Sequence, residues 1–334
     1  MSQAPDADHY ELIAGSAGNL IVFVGAGANT AERNDGWQEG SDSLPDDRDV
    51  ARHLAGQASL VDPPQDLAEV AQLAIAKYGE PRVYGWLREI LILPEDPVPH
   101  RVHELLAGLP AALGRSPFGE QYQMIVTSKY DAALEQAFRG KQEEYDVAVY
   151  RVPARGGTWA GGFVHVPYEG EPTPIGVGAA SEYKKFPIVR DRKTNSFTMS
   201  RTVIVRINGV VDDPAAYYDD EKWRDNYVLT EDDYISYLSG LPIEQVVPGQ
   251  IRAKLMQSSY LFLGYTLADW RLRVFLQRIW GGPLSRANYW AVADAPSDLE
   301  EKVWGKWGVQ LLGSGVTEYL EGLYHFLGED VPDR

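Results

Sequence analysis

Apolar residues along this chain fall in short unbroken runs rather than in polar and apolar alternation. The runs Leu20 to Val24, Met124 to Thr127, Val147 to Val152, Thr202 to Ile207, Tyr260 to Leu263, Tyr289 to Val292 and Val309 to Leu312 are bounded by turn-forming residues and predict strands. Strands that are apolar on both faces belong in a parallel sheet covered by helices on two sides. Helical spacing lies between them, over Asp49 to Gly56, Asp66 to Tyr78, Val83 to Leu91, Val102 to Ala107, Asp131 to Arg139, Asp232 to Leu238, Asp269 to Gln277 and Val316 to Leu327. The expected fold class is therefore α/β, a doubly wound, mostly parallel and Rossmann-like sheet.

Two stretches break the pattern. Residues from about 155 to 200 cluster glycine and proline around strand-like pieces at Gly162 to Val166 and Phe186 to Val189, which suggests a partly β insertion ending in a basic run near Arg190 to Lys193. The acidic run Asp212 to Asp233 reads as a solvated loop rather than a metal site. With no repeat and no low-complexity linker, the expected organisation is a tail over 1–15 and one domain over 16–330.

Composition narrows the function. With 48 acidic against 31 basic side chains the formal charge is −17, which argues against a nucleic-acid partner because phosphate binding needs a positive surface. The absence of cysteine removes disulfides, thiolate metal sites and a cysteine nucleophile. Met1 to Tyr10 are polar and acidic, unlike a secretory signal, and the most apolar run, Leu20 to Ala28, is far shorter than the roughly 20 residues that cross a bilayer. A cytoplasmic protein without a membrane partner is expected. The histidines His9, His53, His100, His103, His165 and His325 show no convincing metal spacing and are expected on helix surfaces or as satisfied core residues. Trp304, Trp307, Tyr319 and Tyr324 are expected to pack rather than to stack on bases.

Four strand ends carry the candidate chemistry. Ile21 to Val24 runs into Gly25-Ala26-Gly27-Ala28-Asn29, a glycine-rich turn whose backbone could approach a pyrophosphate closely. It lacks the third glycine of a dinucleotide fingerprint and the lysine of a triphosphate loop, so taken alone it reads as a tight strand-to-helix turn ahead of a nucleotide loop. The other three are Thr127-Ser128-Lys129-Tyr130-Asp131 with Leu134-Glu135, Arg206-Ile207-Asn208-Gly209, and Phe262-Leu263-Gly264-Tyr265-Thr266 with Asp269 as an N-cap candidate. Strand ends of one parallel sheet converge at its carboxyl edge, where ligands bind.

These segments, with Val228-Leu229-Thr230-Glu231-Asp232-Asp233-Tyr234 and with Asp269, Leu272 and Arg273, resemble in order and spacing the sirtuin-like domains of prokaryotic antiphage defence, from about residue 20 to 325. The family pattern is G-A-G-x-S, T-T-N-Y-D-x-x-L-E, K-L-H-G, V-L-T-x-x-D-Y and F-x-G-Y-S-x-x-D-x-x-L-R. The resemblance implies NAD as cofactor, with Gly25, Ala26, Gly27, Asn29, Thr127, Gly264 and Tyr265 along the nucleotide and Lys129, Asp131 and Asn208 facing its ribose. It also implies a homo-oligomer or protein partner. Active members have asparagine and histidine where this chain has Lys129 and Asn208. An ammonium aimed at an oxocarbenium-like centre raises the barrier, and a neutral amide is no base. A catalytically degenerate NAD or ADP-ribose binder in a defence or NAD-signalling assembly is therefore expected. The alternatives are an NAD hydrolase switched on by a partner and a structural subunit without ligand. Lys129 either folds back onto Asp131 or an acidic loop residue, or grips a phosphate or carboxylate itself. Protein deacetylation is not expected, since the zinc-stapled deacetylases carry four cysteines.

Overall fold

The structure is a computed structural model that describes residues 4–31, 33, 36–40, 43–92, 100–152, 162–175, 186–190, 197–211, 226–239, 242–266, 270–280 and 288–331. Its strands are β1 (Leu20–Val24), β2 (Met124–Thr127), β3 (Tyr145–Arg151), β4 (Gly162–Val166), β5 (Thr173–Pro174), β6 (Ile188–Arg190), β7 (Phe197–Met199), β8 (Thr202–Arg206), β9 (Gly209–Val210), β10 (Asn226–Tyr227), β11 (Ser259–Leu263), β12 (Tyr289–Ala293) and β13 (Val309–Gly313). Its helices are α1 (Ala7–Gly15), α2 (Gly27–Thr30), α3 (Asp47–Gln57), α4 (Leu67–Tyr78), α5 (Glu80–Leu91), α6 (Arg101–Arg115), α7 (Ala133–Lys141), α8 (Glu231–Ser239), α9 (Gly249–Gln257), α10 (Trp270–Trp280), α11 (Asp298–Lys306) and α12 (Val316–Leu327).

Nine strands make one sheet in the order β13-β12-β11-β1-β2-β8-β3-β4-β5. It is parallel from β13 to β3, and β4 and β5 extend it antiparallel. The unbroken apolar runs explain this burial. Ile21 and Phe23 of β1 join Val126, Val205 and Phe262 in a core under α8, α9, α10 and α11. Leu20, Val22 and Val24 join Ile125, Ile204 and Leu263 in a second core under α1, α6, α7 and α12. From β1 the chain adds β2, β3, β4 and β5 on one side, later inserts β8 between β2 and β3, then crosses to lay down β11, β12 and β13 on the other. The reversal lies between β1 and β11, the switch point where open α/β sheets place their ligands. Between β1 and β2 the chain inserts α3, α4 and α5, which share a third core with Tyr130, Tyr227 and Leu229. Asp46 and Asp66 cap α3 and α4 by accepting from main-chain N–H groups of their first turns.

The seven expected main strands form within two residues of their predicted ends. Several other features differ. The stretch expected as a tail forms α1, capped by Asp6, because Ile13 and Ala14, with Tyr10 beside them, pack into the core shared with α6 and α12 despite its polar start. Helix α6 runs on to Arg115 through Pro110, since Leu109, Ala112 and Leu113 continue its buried stripe. Helices α9 and α11 carry too few apolar residues to stand out in the sequence. Part of the expected insertion is sheet: β4 and β5 edge the main sheet, while β6 and β7 pair separately. Residues 153–161, 176–185, 191–196 and 212–225, and Asp269 with its expected capping role, lie outside the described residues. Trp304, Tyr319 and Tyr324 are core residues. No helix among the described residues is long and apolar enough to cross a membrane.

Candidate functional site

The ends of β1, β2, β8 and β11 meet at the carboxyl edge and bring the candidate residues together. Thr127 Oγ1 donates to the Val24 carbonyl at 2.9 Å and accepts from the Lys129 N–H at 3.1 Å, which locks the end of β2 to the end of β1. Arg206, at the end of β8, is fully buried and pairs with the Glu135 carboxylate of α7. Its guanidinium also donates to the carbonyls of Lys129 at 3.1 Å and Asp131 at 2.6 Å. The turn from Lys129 to Asp131 is thus wrapped around one buried cation.

That turn directs Asp131 inward. One carboxylate oxygen accepts the Ala133 N–H at 3.2 Å, and the other accepts from Asn29 Nδ2 at 3.0 Å. Burial acts to raise its pKa, but the Lys129 ammonium, other nearby cationic groups and the Asn29 bond outweigh burial and hold the carboxyl below its ordinary range. Asp131 is a buried, ionised carboxylate.

Lys129 and Asn208 are both engaged by the protein. Lys129 Nζ donates to the Pro45 carbonyl at 3.2 Å and lies 3.7 Å from the Asp47 carboxylate, at the start of α3. The carboxylate that Lys129 approaches belongs to a helix rather than to a loop, and the same ammonium also acts on Asp131. Asn208 Nδ2 donates to the Ser128 carbonyl at 3.3 Å and to the Tyr234 hydroxyl at 3.0 Å. Tyr234 in turn meets the Tyr130 hydroxyl at 3.2 Å, which donates to the Val228 carbonyl at 2.8 Å. Gly209 holds a φ of +83°, and a Cβ there would lie 1.9 Å from the Asn226 carbonyl oxygen, so the residue after Asn208 has to be glycine for β9 to close on β10.

The glycine turns contact each other. The Gly27 N–H donates to the Gly264 carbonyl at 2.8 Å. Gly264 has a φ of +67°, and a Cβ on it would lie 2.4 Å from the Ala28 nitrogen. The close backbone approach expected toward a pyrophosphate is made here between the β1 and β11 turns. Ala26, Gly27, Ser128 and Gly264 keep partial exposure, while Thr127, Asn29 and Tyr265 are buried. Tyr265 reaches the Ser128 hydroxyl at 3.0 Å.

Several contributors had no motif to reveal them. Pro45, Asp47 and Arg271 come from distant segments. His103, expected as an ordinary helix histidine, is buried in α6 within the field of Asp131. Burial first, and then the charges of His100, Arg206 and Lys129, push its pKa down to about 4 despite the Asp131 carboxylate, so it is neutral at pH 7. His103 Nδ1 and Asn29 Oδ1 have no hydrogen-bond partner among the described residues. Arg206 was legible in principle, because one charge inside an apolar strand run requires a buried counter-charge. Among the described residues no three acidic or histidine side chains group as metal ligands.

A doubly wound sheet whose polar strand ends converge at its switch point defines a Rossmann-like α/β protein. Residues 123–312 match the family model described as SIR2-like domain, more than half of the chain, and the chain belongs to that family. The match begins just before β2. The glycine turn after β1 lies outside it and joins the site through the pairing of β1 with β2 and β11. A comparison with curated proteins finds none that matches.

Proposed function

We propose that this protein binds NAD or ADP-ribose at the carboxyl edge of β1, β2, β8 and β11, and that it has lost the power to cleave the nicotinamide bond. The observation that carries the loss is the engagement of Lys129 by Pro45 and Asp47 and of Asn208 by Ser128 and Tyr234. These are the positions at which the family resemblance calls for a ribose-orienting asparagine and a proton-transferring histidine. Neither side chain can take up those tasks without abandoning partners inside the protein.

The nucleotide itself fits the residues present. The part-exposed Ala26, Gly27, Ser128 and Gly264 form an open margin beside a buried polar centre, and Asn29 Oδ1 is a buried acceptor in want of a donor such as a ribose hydroxyl. When bound, NAD would supply the scissile glycosidic bond; Asn29 Oδ1 would accept from a ribose hydroxyl and Asp131 would supply negative charge at the site. In keeping with the family resemblance, the biological setting we propose is a prokaryotic defence or NAD-signalling assembly, with a second copy or another protein as partner.

One observation favours hydrolysis as the second reading. Asp131 is held ionised, and a buried carboxylate can stabilise an oxocarbenium-like ribose. Calorimetry with NAD and with ADP-ribose tests the binding; no heat from either at millimolar concentration contradicts it. Nicotinamide release faster than about 1 s⁻¹, the low end of ordinary enzymes, contradicts the loss of catalysis and supports the second reading.

A further inference from the structure

Two buried polar groups beside Asp131 keep an unused hydrogen-bonding atom. Asn29 and His103 are each 2% exposed. Asn29 Nδ2 donates to Asp131 Oδ2 at 3.0 Å and to the Pro45 carbonyl at 3.4 Å. Both partners can only accept, so the orientation of the amide is fixed and Oδ1 is the atom left over. That oxygen and His103 Nδ1 have no hydrogen-bond partner among the described residues. Helix α2, which carries Asn29, packs against α6, which carries His103, and the Asp131 charge acts on the imidazole. The two groups therefore flank one carboxylate. Charge at this point is already balanced: burial works against the Asp131 charge, but the Lys129 ammonium, foremost among its neighbours, holds the carboxyl ionised. Burial keeps His103 uncharged at pH 7. A ligand group arriving here meets unsatisfied hydrogen-bonding atoms and a carboxylate that is already compensated.

We propose that Asn29 Oδ1 and the His103 imidazole bind the anomeric hydroxyl of a terminal ribose, which makes ADP-ribose, rather than NAD, the preferred ligand of this site. The inference rests on the nucleotide reading above and selects between its two ligands. A hydroxyl both donates and accepts, so it can donate to Asn29 Oδ1 while it accepts from the imidazole N–H. The nicotinamide ring of NAD is a cation. It would give up its hydration near the Lys129 ammonium, beside a carboxylate already matched, and it replaces the hydroxyl that the two groups call for. Asn29 follows the part-exposed Gly27 within the same helix, so the open margin leads to it directly.

The test is calorimetry at pH 7 with ADP-ribose, its 1-O-methyl glycoside, NAD and ADP, on the full chain and on His103→Phe and His103→Gln. ADP-ribose should bind roughly tenfold more tightly than NAD, and roughly tenfold more tightly than the methyl glycoside, whose anomeric oxygen has no proton to donate. His103→Phe should weaken ADP-ribose about tenfold and change ADP little, since ADP has no terminal ribose; His103→Gln should recover part of the loss. Should His103→Phe fold poorly, the methyl glycoside on the wild-type chain decides the matter. NAD or the methyl glycoside binding as tightly as ADP-ribose overturns the proposal and leaves the broader nucleotide reading standing. A preference for ADP-ribose that His103→Phe leaves intact also overturns it, since solvent then serves the imidazole. Binding of none of the four removes the nucleotide reading and the proposal with it.

Discussion

Arg206 carries its charge into the middle of an apolar sheet and shapes the site from below. It pairs with Glu135 and holds the carbonyls of Lys129 and Asp131, so the direction of both side chains depends on it. Removing one partner of a buried pair leaves the other uncompensated. Arg206→Met should therefore cost about 3–5 kcal/mol in urea unfolding, and Arg206→Met with Glu135→Leu should cost much less. Equal losses in the single and double variants would show that the pair itself does not hold the turn. His103 supplies a different signature. Its pKa falls from its ordinary value near 6.5 to about 4, so between these pH values the unfolded chain binds a proton that the native chain refuses. Stability from this residue is complete above pH 6.5 and declines as pH falls toward 4, by about 3 kcal/mol in all. His103→Gln should flatten the loss of stability between pH 7 and pH 4. An unchanged slope would mean that His103 titrates normally in the native protein.

At the scale of elements, two turns that touch each other set the switch point. Gly264→Ala places a Cβ against the Ala28 backbone at a φ of +67°, and both effects are unfavourable. We expect it to lower stability by about 2 kcal/mol or more, whereas Gly85→Ala, in the middle of α5 with no neighbour near the new Cβ, should raise stability by roughly 0.5–1 kcal/mol. Thermal unfolding of both variants checks the contrast, and a harmless Gly264→Ala would mean the turns do not pack this tightly. The strands were legible because each is buried on both faces and therefore apolar without interruption, as in β1 and β2. Helices α9 and α11 were not, because a surface helix buries few side chains; Trp304 is the buried residue of α11. The acidic start of α1 hid a helix whose buried face is just Ile13 and Ala14.

For the molecule as a whole, family and sheet were written in motifs, whereas the state of the site was not. Lys129, Asp131 and Asn208 stand out as polar residues at strand ends, but the partners Pro45, Asp47 and Tyr234 are brought to them by chain folding. Spacing along the sequence cannot report such contacts. The two departures that fall on catalytic positions of the family pattern, Lys129 and Asn208, are also the side chains occupied by those partners, which is why loss of catalysis is the central claim. Changing Lys129 to asparagine removes the charge and the tie to Pro45; changing Asn208 to histidine restores a base. Because both act on one transition state, their effects should be strongly non-additive.

The most direct test is nicotinamide release from NAD by wild type, by Lys129→Asn, by Asn208→His and by the double variant, each first shown by calorimetry to bind NAD. The account predicts little or no release by wild type and either single variant, and measurable release by the double variant, at least tenfold above each single in the manner of groups that act as a unit. Rapid release by the wild-type chain, or a double variant that binds NAD and stays inactive, would contradict the claim that these two residues are what separates this site from an active one.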